Sequence, residues 1–467
     1  MPRTTSIQEP PGALEWREAL GDVGPHYLRV LRFLERAIAE DRLRPGDRLP
    51  PQRQLAKQLG LDLTTITRAF AEATARKLIH ARGTLGTFVS MPEVELSPII
   101  DLSMNIPPLP VQVDFGDLLR RGMAQVLTYA DVDNLMNYQL NGGGRSERTA
   151  GSRWLAPMLG KVDSTRIAVT AGAQAALSAL ILTLSAPGDH ILADAMTYPG
   201  LLAAASELGR LVTAVEGDEY GMDPEALASM CRTQGGKLLY LNPTLHNPTT
   251  ITMPGQRRQA IARVAAQYDL QVIEDDPYWL LAEAPPAPVA CLAPDRVHYI
   301  ATLSKCLAPG LRTAYVVSPS DRWQGRLLTA LRATTLMHAP LATAVATQWI
   351  HDGSATQLLD GIKSEVRARQ ELAMQVLPHR GQPWPSGSIH LWYELPGSWT
   401  PSALAVAARM EGLAVTPSEA FAVTPGSGQA IRISLGGVRD RPRLRLAIQK
   451  LAGLLEQSPG SATSVHV

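Results

Sequence analysis

The stretch Thr302-Leu303-Ser304-Lys305-Cys306-Leu307-Ala308-Pro309-Gly310-Leu311-Arg312-Thr313 decides how this chain is read. The run before it, Val297-His-Tyr-Ile-Ala, reads as a strand that ends at Thr302, and polar residues follow at once. A lysine in such a loop can form a Schiff base with an aldehyde. Arg312, seven residues after Lys305, can pair bidentately with a phosphate. The run Thr313-Ala-Tyr-Val-Val then reads as another strand.

Outward from this unit, short apolar runs alternate with helical patterns. Ile167-Ala-Val-Thr, His190-Ile-Leu-Ala, Leu211-Val-Thr-Ala-Val, Lys237-Leu-Leu-Tyr-Leu and Leu270-Gln-Val-Ile-Glu read as strands, with helices such as Ala173–Leu184 and Pro254–Tyr268 between them. The alternation predicts an α/β body with a mainly parallel central sheet covered by helices. Other strand ends also carry polar words. In Thr170-Ala-Gly172-Ala-Gln174 a glycine lets backbone amides approach an anion at a helix start. In Glu274-Asp275-Asp276-Pro277-Tyr278 a buried carboxylate can hold a protonated ring nitrogen.

Taken in order, Thr170-x-Gly-x-Gln, Tyr198-Pro199, Asn247-Pro248-Thr249, Asp275-x-x-Tyr278, Ser304-Lys305 with Arg312, and Ile431-Arg432-Ile433-Ser434 resemble the fold-type I pyridoxal phosphate enzymes of the aspartate-aminotransferase-like group, over about residues 100–455. The resemblance implies a smaller C-terminal subdomain and pyridoxal 5′-phosphate as cofactor. It implies that Lys305 forms the internal aldimine, that Asp275 pairs with the pyridine nitrogen and that Tyr198 stacks on the ring. Asn247 and Tyr278 would bond the phenolic oxygen. Ala173, Gln174, Thr302, Ser304 and Arg312 would cradle the phosphate, and Arg432 would clamp an effector or substrate carboxylate. Tyr138 would reach the phosphate of a neighbouring subunit. Two places depart from the pattern: Thr250 stands where the family usually has glycine, and Asn141-Gly-Gly-Gly-Arg-Ser-Glu-Arg148 follows a Gly-x-x-x-Leu-Arg word only roughly. Cys306 reads as a small buried residue and His390 as a strand residue near the site, and neither is assigned chemistry.

The N-terminal part reads differently. Helical spacing covers His26 to Asp41, Gln52 to Leu59 and Thr64 to Leu78, with Asp62 placed to cap the last helix. Ile79-His-Ala-Arg82 and Thr87-Phe-Val89 flank the glycine-rich Gly83-Thr-Leu-Gly86, which predicts a hairpin. The words Leu43-x-Pro-Gly-Asp-x-Leu-Pro, Arg53-x-Leu-Ala, Leu59-Gly and Gly83-x-x-Gly-Thr-Phe-Val resemble the winged helix-turn-helix of the GntR superfamily. That resemblance implies that Thr64, Thr65, Thr67 and Arg68 enter the major groove of double-stranded DNA. It also implies that Arg53 meets the phosphate backbone and that Arg82 and Gly83 approach the minor groove.

Composition fits two unlike parts. The 467 residues carry 44 Lys+Arg against 43 Asp+Glu. Residues 1–90 hold fourteen basic against ten acidic side chains, a net +4, which leaves −3 for the remainder. A hydrophobic share of 45% excludes disorder as the dominant state. No apolar run is long enough to span a membrane, since Ala175–Ala186 stops at Pro187-Gly188. Met1–Pro10 lacks a secretory core, and Cys231, Cys291 and Cys306 lie too far apart for a disulfide framework or a structural zinc. These features predict a cytoplasmic protein with no metal site. The expected divisions are a DNA-binding domain at 1–90, a Pro-rich linker at 91–99, the cofactor-binding domain at 100–455 and a disordered tail at 456–467.

The fusion of the two parts resembles the MocR (GabR-type) branch of the GntR superfamily. The resemblance implies a bacterial regulator that senses an amino-acid or amine effector through aldimine exchange on Lys305 and reads operator half-sites as a head-to-tail homodimer. Two other readings stand beside it: an aminotransferase with an accessory N-terminal module, and a sensor of the cofactor itself.

Overall fold

The computed structural model describes residues 16–21, 24–40, 42–44, 46–76, 78–81, 86–90, 99–378 and 384–457. The chain divides into two compact units, Met1–Pro98 and Ile99–Val467. The expected linker falls almost wholly, and the expected tail from residue 458 on, outside the described residues.

In the first unit, helices His26–Ala39, Gln52–Leu59 and Leu63–Ala75 enclose a small core. Leu31, Leu34, Leu55, Ile66, Phe70 and Val89 are buried there, each on the inward stripe of its helix or strand. Gly60 takes φ 64° and ends the second helix in the left-handed conformation that glycine adopts most readily. The hairpin pairs Ile79 with Val89 and Ala81 with Thr87. Two details correct the sequence reading, and a third adds to it. The third helix ends at Ala75 rather than Leu78. Asp62 occupies the position before that helix, but its side chain makes no capping bond. Trp16–Gly21 forms a 3₁₀ turn that seats Trp16 on Phe33 with ring centroids 5.3 Å apart.

The second unit is built on a seven-stranded sheet. In spatial order the strands are Ile167–Thr170, Ala314–Val317, Val297–Thr302, Gln271–Asp275, Leu238–Leu241, His190–Asp194 and Leu211–Val215. All run parallel except Ala314–Val317, which is antiparallel to both neighbours. These strands are mostly apolar, as in a sheet covered on both faces, with polar residues such as Thr170, Asp275 and Thr302 at their C-terminal ends. Helix Ala173–Leu184 lies on one face, and Ala176, Leu177, Leu180 and Ile181 are buried.

A smaller C-terminal layer pairs His390–Glu394 with Ala430–Ser434, and the latter with Thr416–Pro417, all antiparallel. The first strand of the unit, Ile100–Asp101, pairs in parallel with Leu413–Ala414. This ties the segment next to the linker into the C-terminal layer. Buried Arg369 locks the layer to the long helix Ser354–Val376. It bonds Glu365 at 2.7 Å and donates to the carbonyls of Leu435 and Val438 at 2.8 and 2.7 Å.

Candidate functional site

Parallel strands end on one edge of the sheet, and loops at such an edge form a crevice. Here the crevice is a cleft of about 430 Å³. One wall comes from the turn after Ile167–Thr170. Gly172 takes φ 85° just before helix Ala173–Leu184, and the side chain of Arg312 lies so close that a Cβ on Gly172 would sit 2.8 Å from its Nη2. Arg312 Nη2 donates to the carbonyl of Ala171 at 3.0 Å. Gln174 Nε2 donates to the carbonyl of Gly200 at 2.8 Å, and its Oε1 accepts from Tyr198 Oη at 3.1 Å. Thr302 Oγ1 donates to Ser304 Oγ at 3.0 Å. A helix N-terminus, two hydroxyls and a guanidinium thus converge, as an anionic phosphate requires.

Lys305 lines the same cleft, and its Nζ donates to the main-chain carbonyl of Asn105. Burial, helped by the nearby charges of Arg432 and Arg312, lowers its pKa to about 8 although Asp275 opposes the shift. A neutral amine is therefore available near physiological pH, as a nucleophilic lysine needs. Asp275 closes strand Gln271–Asp275. Burial raises its pKa to about 6, against the bond from Tyr240 and the charge of Lys305. Tyr240 Oη donates to Asp275 Oδ2 at 3.0 Å, and Asn242 Nδ2 to its main-chain carbonyl at 2.6 Å. Asp275 Oδ1 is buried and has no hydrogen-bond partner among the described residues.

Arg432 completes the cleft from the C-terminal layer. Its Nη1 donates to Asn247 Oδ1 at 2.8 Å and its Nη2 to the carbonyl of Ser103 at 2.6 Å, while buried Nε has no partner among the described residues. Phe421 lies under the guanidinium, 4.9 Å from it to the ring centroid. Tyr278 Oη accepts from Asn105 Nδ2 at 2.9 Å, and the same amide nitrogen lies 3.1 Å from His390 Nδ1. Thr250, on the Asn247 loop, takes φ 64° without being glycine, so the chain keeps the left-handed turn there despite the substitution.

The cleft brings together Lys305, Asp275, Tyr278, Asn247, Tyr198, Ala173, Gln174, Thr302, Ser304, Arg312 and Arg432. It does not include Tyr138, which is 70% exposed and lines a separate depression with Tyr129 and Arg145. Sequence reasoning missed Asn105, Tyr240 and Asn242, and it placed His390 on a strand near the site without giving it a role. Asn242 follows a buried strand directly, the same signal that singled out Asp275. Tyr240 sits within a strand and reads as core.

In the first unit Thr64, Thr67 and Arg68 are exposed at the start of helix Leu63–Ala75, Thr65 is half-buried, and Arg53 is exposed on the helix before it. Thr67 Oγ1 donates to Gln52 Oε1 at 2.9 Å, which couples the two helices. Arg68 lies 4.0 Å over the ring of Tyr27. Arg82 and Gly83 lie outside the described residues.

A family model described as aminotransferase class I and II matches residues 97–451, most of the chain. The chain belongs to the aminotransferase class I and II family. Within this aminotransferase-family chain, residues 26–89 match a second model, bacterial regulatory proteins of the gntR family, which implies DNA binding. The HTH-type transcriptional regulator YdeF of Bacillus subtilis is 28% identical, covering 95% of this chain and 97% of that one. The vitamin B6 salvage pathway transcriptional repressor PtsJ of Salmonella typhimurium is 27% identical over 88% of this chain and 94% of that protein. The crystal structure of Pyrococcus horikoshii kynurenine aminotransferase in complex with PMP matches with TM-score 0.70 and 25% identity, over 78% of this chain and 92% of that one.

Membership in the aminotransferase class I and II family implies pyridoxal phosphate, and the residues present fit it. The orphaned Asp275 Oδ1 is an acceptor for a protonated ring nitrogen. The close packing of Gly172 on Arg312 leaves a concave anion cradle. Lys305 supplies the amine. Among the described residues no helix is long and apolar enough to cross a membrane.

Proposed function

We propose that this chain is a pyridoxal-phosphate-dependent, DNA-binding transcriptional regulator of the bacterial cytoplasm, whose cofactor site senses an amino-acid or amine effector. The observation that carries the reading is a gntR module joined to a complete set of cofactor-site residues in one chain.

Bound pyridoxal phosphate supplies an aldehyde for amines and an electron-withdrawing ring. The chain's own residues do the rest. Arg312, Ser304, Thr302 and the amides of Ala173 and Gln174 would anchor the phosphate. Asp275, held by Tyr240, would pair with a protonated ring nitrogen. Tyr198 would cover a ring face, and Tyr278 with Asn247 would orient the phenolic oxygen. Lys305 would supply the amine that meets the aldehyde, where an incoming amine would compete, and Arg432 would receive a carboxylate. Arg53, Thr64, Thr65, Thr67, Arg68 and the tip residues Arg82 and Gly83 would read DNA. Exposed apolar side chains at Tyr129, Val132, Met136 and Tyr138 support a homodimer; its head-to-tail arrangement and the reach of Tyr138 to a neighbour's phosphate follow from the family resemblance.

A second reading, catalytic transamination, is favoured by the lowered pKa of Lys305, which suits a proton carrier. One pair of measurements separates the two. The regulator reading expects a mobility shift with the intergenic DNA upstream of the protein's own gene. No shift, together with many turnovers of amino donor and keto acid, overturns it.

A further inference from the structure

The sheet edge carries a second crevice, apart from the cofactor cleft. Strands His190–Asp194 and Leu211–Val215 end beside it, and it encloses about 160 Å³. The two cavities share a single lining residue, Asn242. Met196, Val215, Ile251 and Met253 make the walls of the second one largely apolar, and two carboxylates, Asp194 and Asp218, face it. Asp218 is already engaged: Oδ2 accepts from Arg257 Nη2 at 2.7 Å and Oδ1 from the amide of Tyr220 at 2.8 Å.

Asp194 is different. Its side chain is 18% exposed, and His246 Nε2 stands 3.7 Å from its Oδ2, too far for a hydrogen bond. His246 lines the crevice and is more than nine-tenths buried, and its Nε2 has no hydrogen-bond partner among the described residues. Its Nδ1 lies 2.8 Å from Thr249 Oγ1. Burial lowers the His246 pKa to about 4, so the imidazole is neutral and leaves the carboxylate without a countercharge. Burial likewise pushes the Asp194 pKa up to about 7. A cation entering the crevice would relieve that cost. Among the described residues no group of three His, Cys, Asp or Glu could hold a metal ion. One unanswered carboxylate between apolar walls suits instead an ammonium group on a short alkyl chain.

The crevice also backs onto the frame of the cofactor cleft. Asn242 Oδ1 accepts from the amide of Asn247 at 2.7 Å, and its Nδ2 donates to the carbonyl of Asp275 at 2.6 Å. His246 and Thr249, both in the crevice wall, bracket Asn247, whose Oδ1 accepts from Arg432. We propose that this crevice is a second small-molecule site, which takes a small alkylammonium ion on Asp194, and that its occupancy changes the cofactor cleft through Asn242 and the loop that carries Asn247. The binding stands on the crevice alone, and the coupling rests on the cofactor reading.

The test uses the full-length, cofactor-loaded protein and N,N-dimethylpropylamine, a tertiary amine that is charged near neutral pH and cannot condense with an aldehyde. Calorimetry is expected to show saturable binding, and 3-methylbutan-1-ol, of similar size without the charge, is expected to bind at least about tenfold more weakly. Asp194→Asn is expected to weaken the amine by about tenfold or more while leaving the alcohol and the cofactor absorbance unchanged. No saturable binding of the amine, or equal binding by Asp194→Asn, overturns the site. For the coupling, cofactor-free protein is titrated with pyridoxal phosphate with and without saturating amine. The amine is expected to change the cofactor affinity about fivefold or more in the unaltered protein and to leave Asp194→Asn unaffected. An unchanged affinity in the unaltered protein overturns the coupling. A protein that takes up no pyridoxal phosphate overturns the cofactor reading and the coupling with it, and the calorimetry then decides the site by itself.

Discussion

Tyr240 Oη donates to Asp275 Oδ2 at 3.0 Å, and the other oxygen of that carboxylate has no partner among the described residues. One oxygen is fixed by the sheet and the other remains for a ring nitrogen. Burial raises the Asp275 pKa to about 6, and the Tyr240 bond restrains that rise. Tyr240→Phe is expected to move the pKa further up, because a hydrogen bond to the ionised form is lost. The carboxylate then protonates at a higher pH, and cofactor affinity falls off earlier on acidification. The expected loss is about tenfold near neutrality, from a charge-assisted bond of roughly 1.5–3 kcal/mol. Absorbance titrations with pyridoxal phosphate across the neutral range check it.

Lys305 gives a pH dependence of opposite origin. Its neutral form is the nucleophile, and its pKa is lowered to about 8, mainly by burial. The rate of cofactor loading is therefore expected to rise about tenfold per pH unit below that value and to level off above it. Lys305→Ala is expected to abolish the covalent absorbance band at every pH. Stopped-flow mixing of the cofactor-free protein with pyridoxal phosphate measures both.

Gly172→Ala tests the phosphate cradle. The new methyl group meets Arg312 Nη2 at 2.8 Å and Cζ at 3.0 Å, and the backbone there has φ 85°. Strain of about 1–3 kcal/mol at such a position predicts cofactor binding weaker by roughly ten- to a hundredfold. Isothermal titration reads the affinity, and circular dichroism is expected to show the fold intact.

Arg53→Ala is expected to weaken DNA binding about equally for all sequences and to reduce the slope of log affinity against log salt by about one. Arg68→Ala is expected to weaken binding while leaving cofactor absorbance unchanged. Tyr27→Leu removes the aromatic face 4.0 Å from the Arg68 guanidinium and is expected to act in the same direction, with a smaller effect. Mobility shifts at several salt concentrations distinguish these outcomes.

Arg369→Met is expected to lower stability by about 3–5 kcal/mol, because it leaves Glu365 with a weakened partner set and strands the carbonyls of Leu435 and Val438. Urea unfolding followed by tryptophan fluorescence is the measurement.

Much of the body was legible because its strands are apolar runs that stop abruptly at polar residues. Helix Ala173–Leu184 has the bounds expected from its sequence, and Asp275, Lys305 and Arg312 stand at strand ends, where a site is looked for first. The residues that escaped notice do two things at once. Tyr240 fills the middle of a strand, so its hydroxyl bond to Asp275 looks like core packing from sequence. His390 reads from sequence as a strand residue near the site, and the fold adds its contact with Asn105. Asn105 lies in a proline-rich stretch that gave no periodic signal. The direction of Ala314–Val317 was equally hidden, since a strand buried on both faces reads alike whichever way it runs. Asp62 shows the converse, a residue type suited to capping that stands at the right position without making the bond.

That antiparallel strand carries a consequence for how the site can change. Thr302 is registered against Ala314, and Ala314 against Thr170, so one row of backbone bonds crosses all three strands. With neighbouring strands about 4.8 Å apart, the lysine-bearing loop and the glycine turn start roughly 10 Å from each other. Main-chain pairing alone sets that gap. Side chains around the anion can therefore be exchanged freely while the distance between the two loops stays constant, so a lineage could rewrite what the site responds to without rebuilding the frame that holds it.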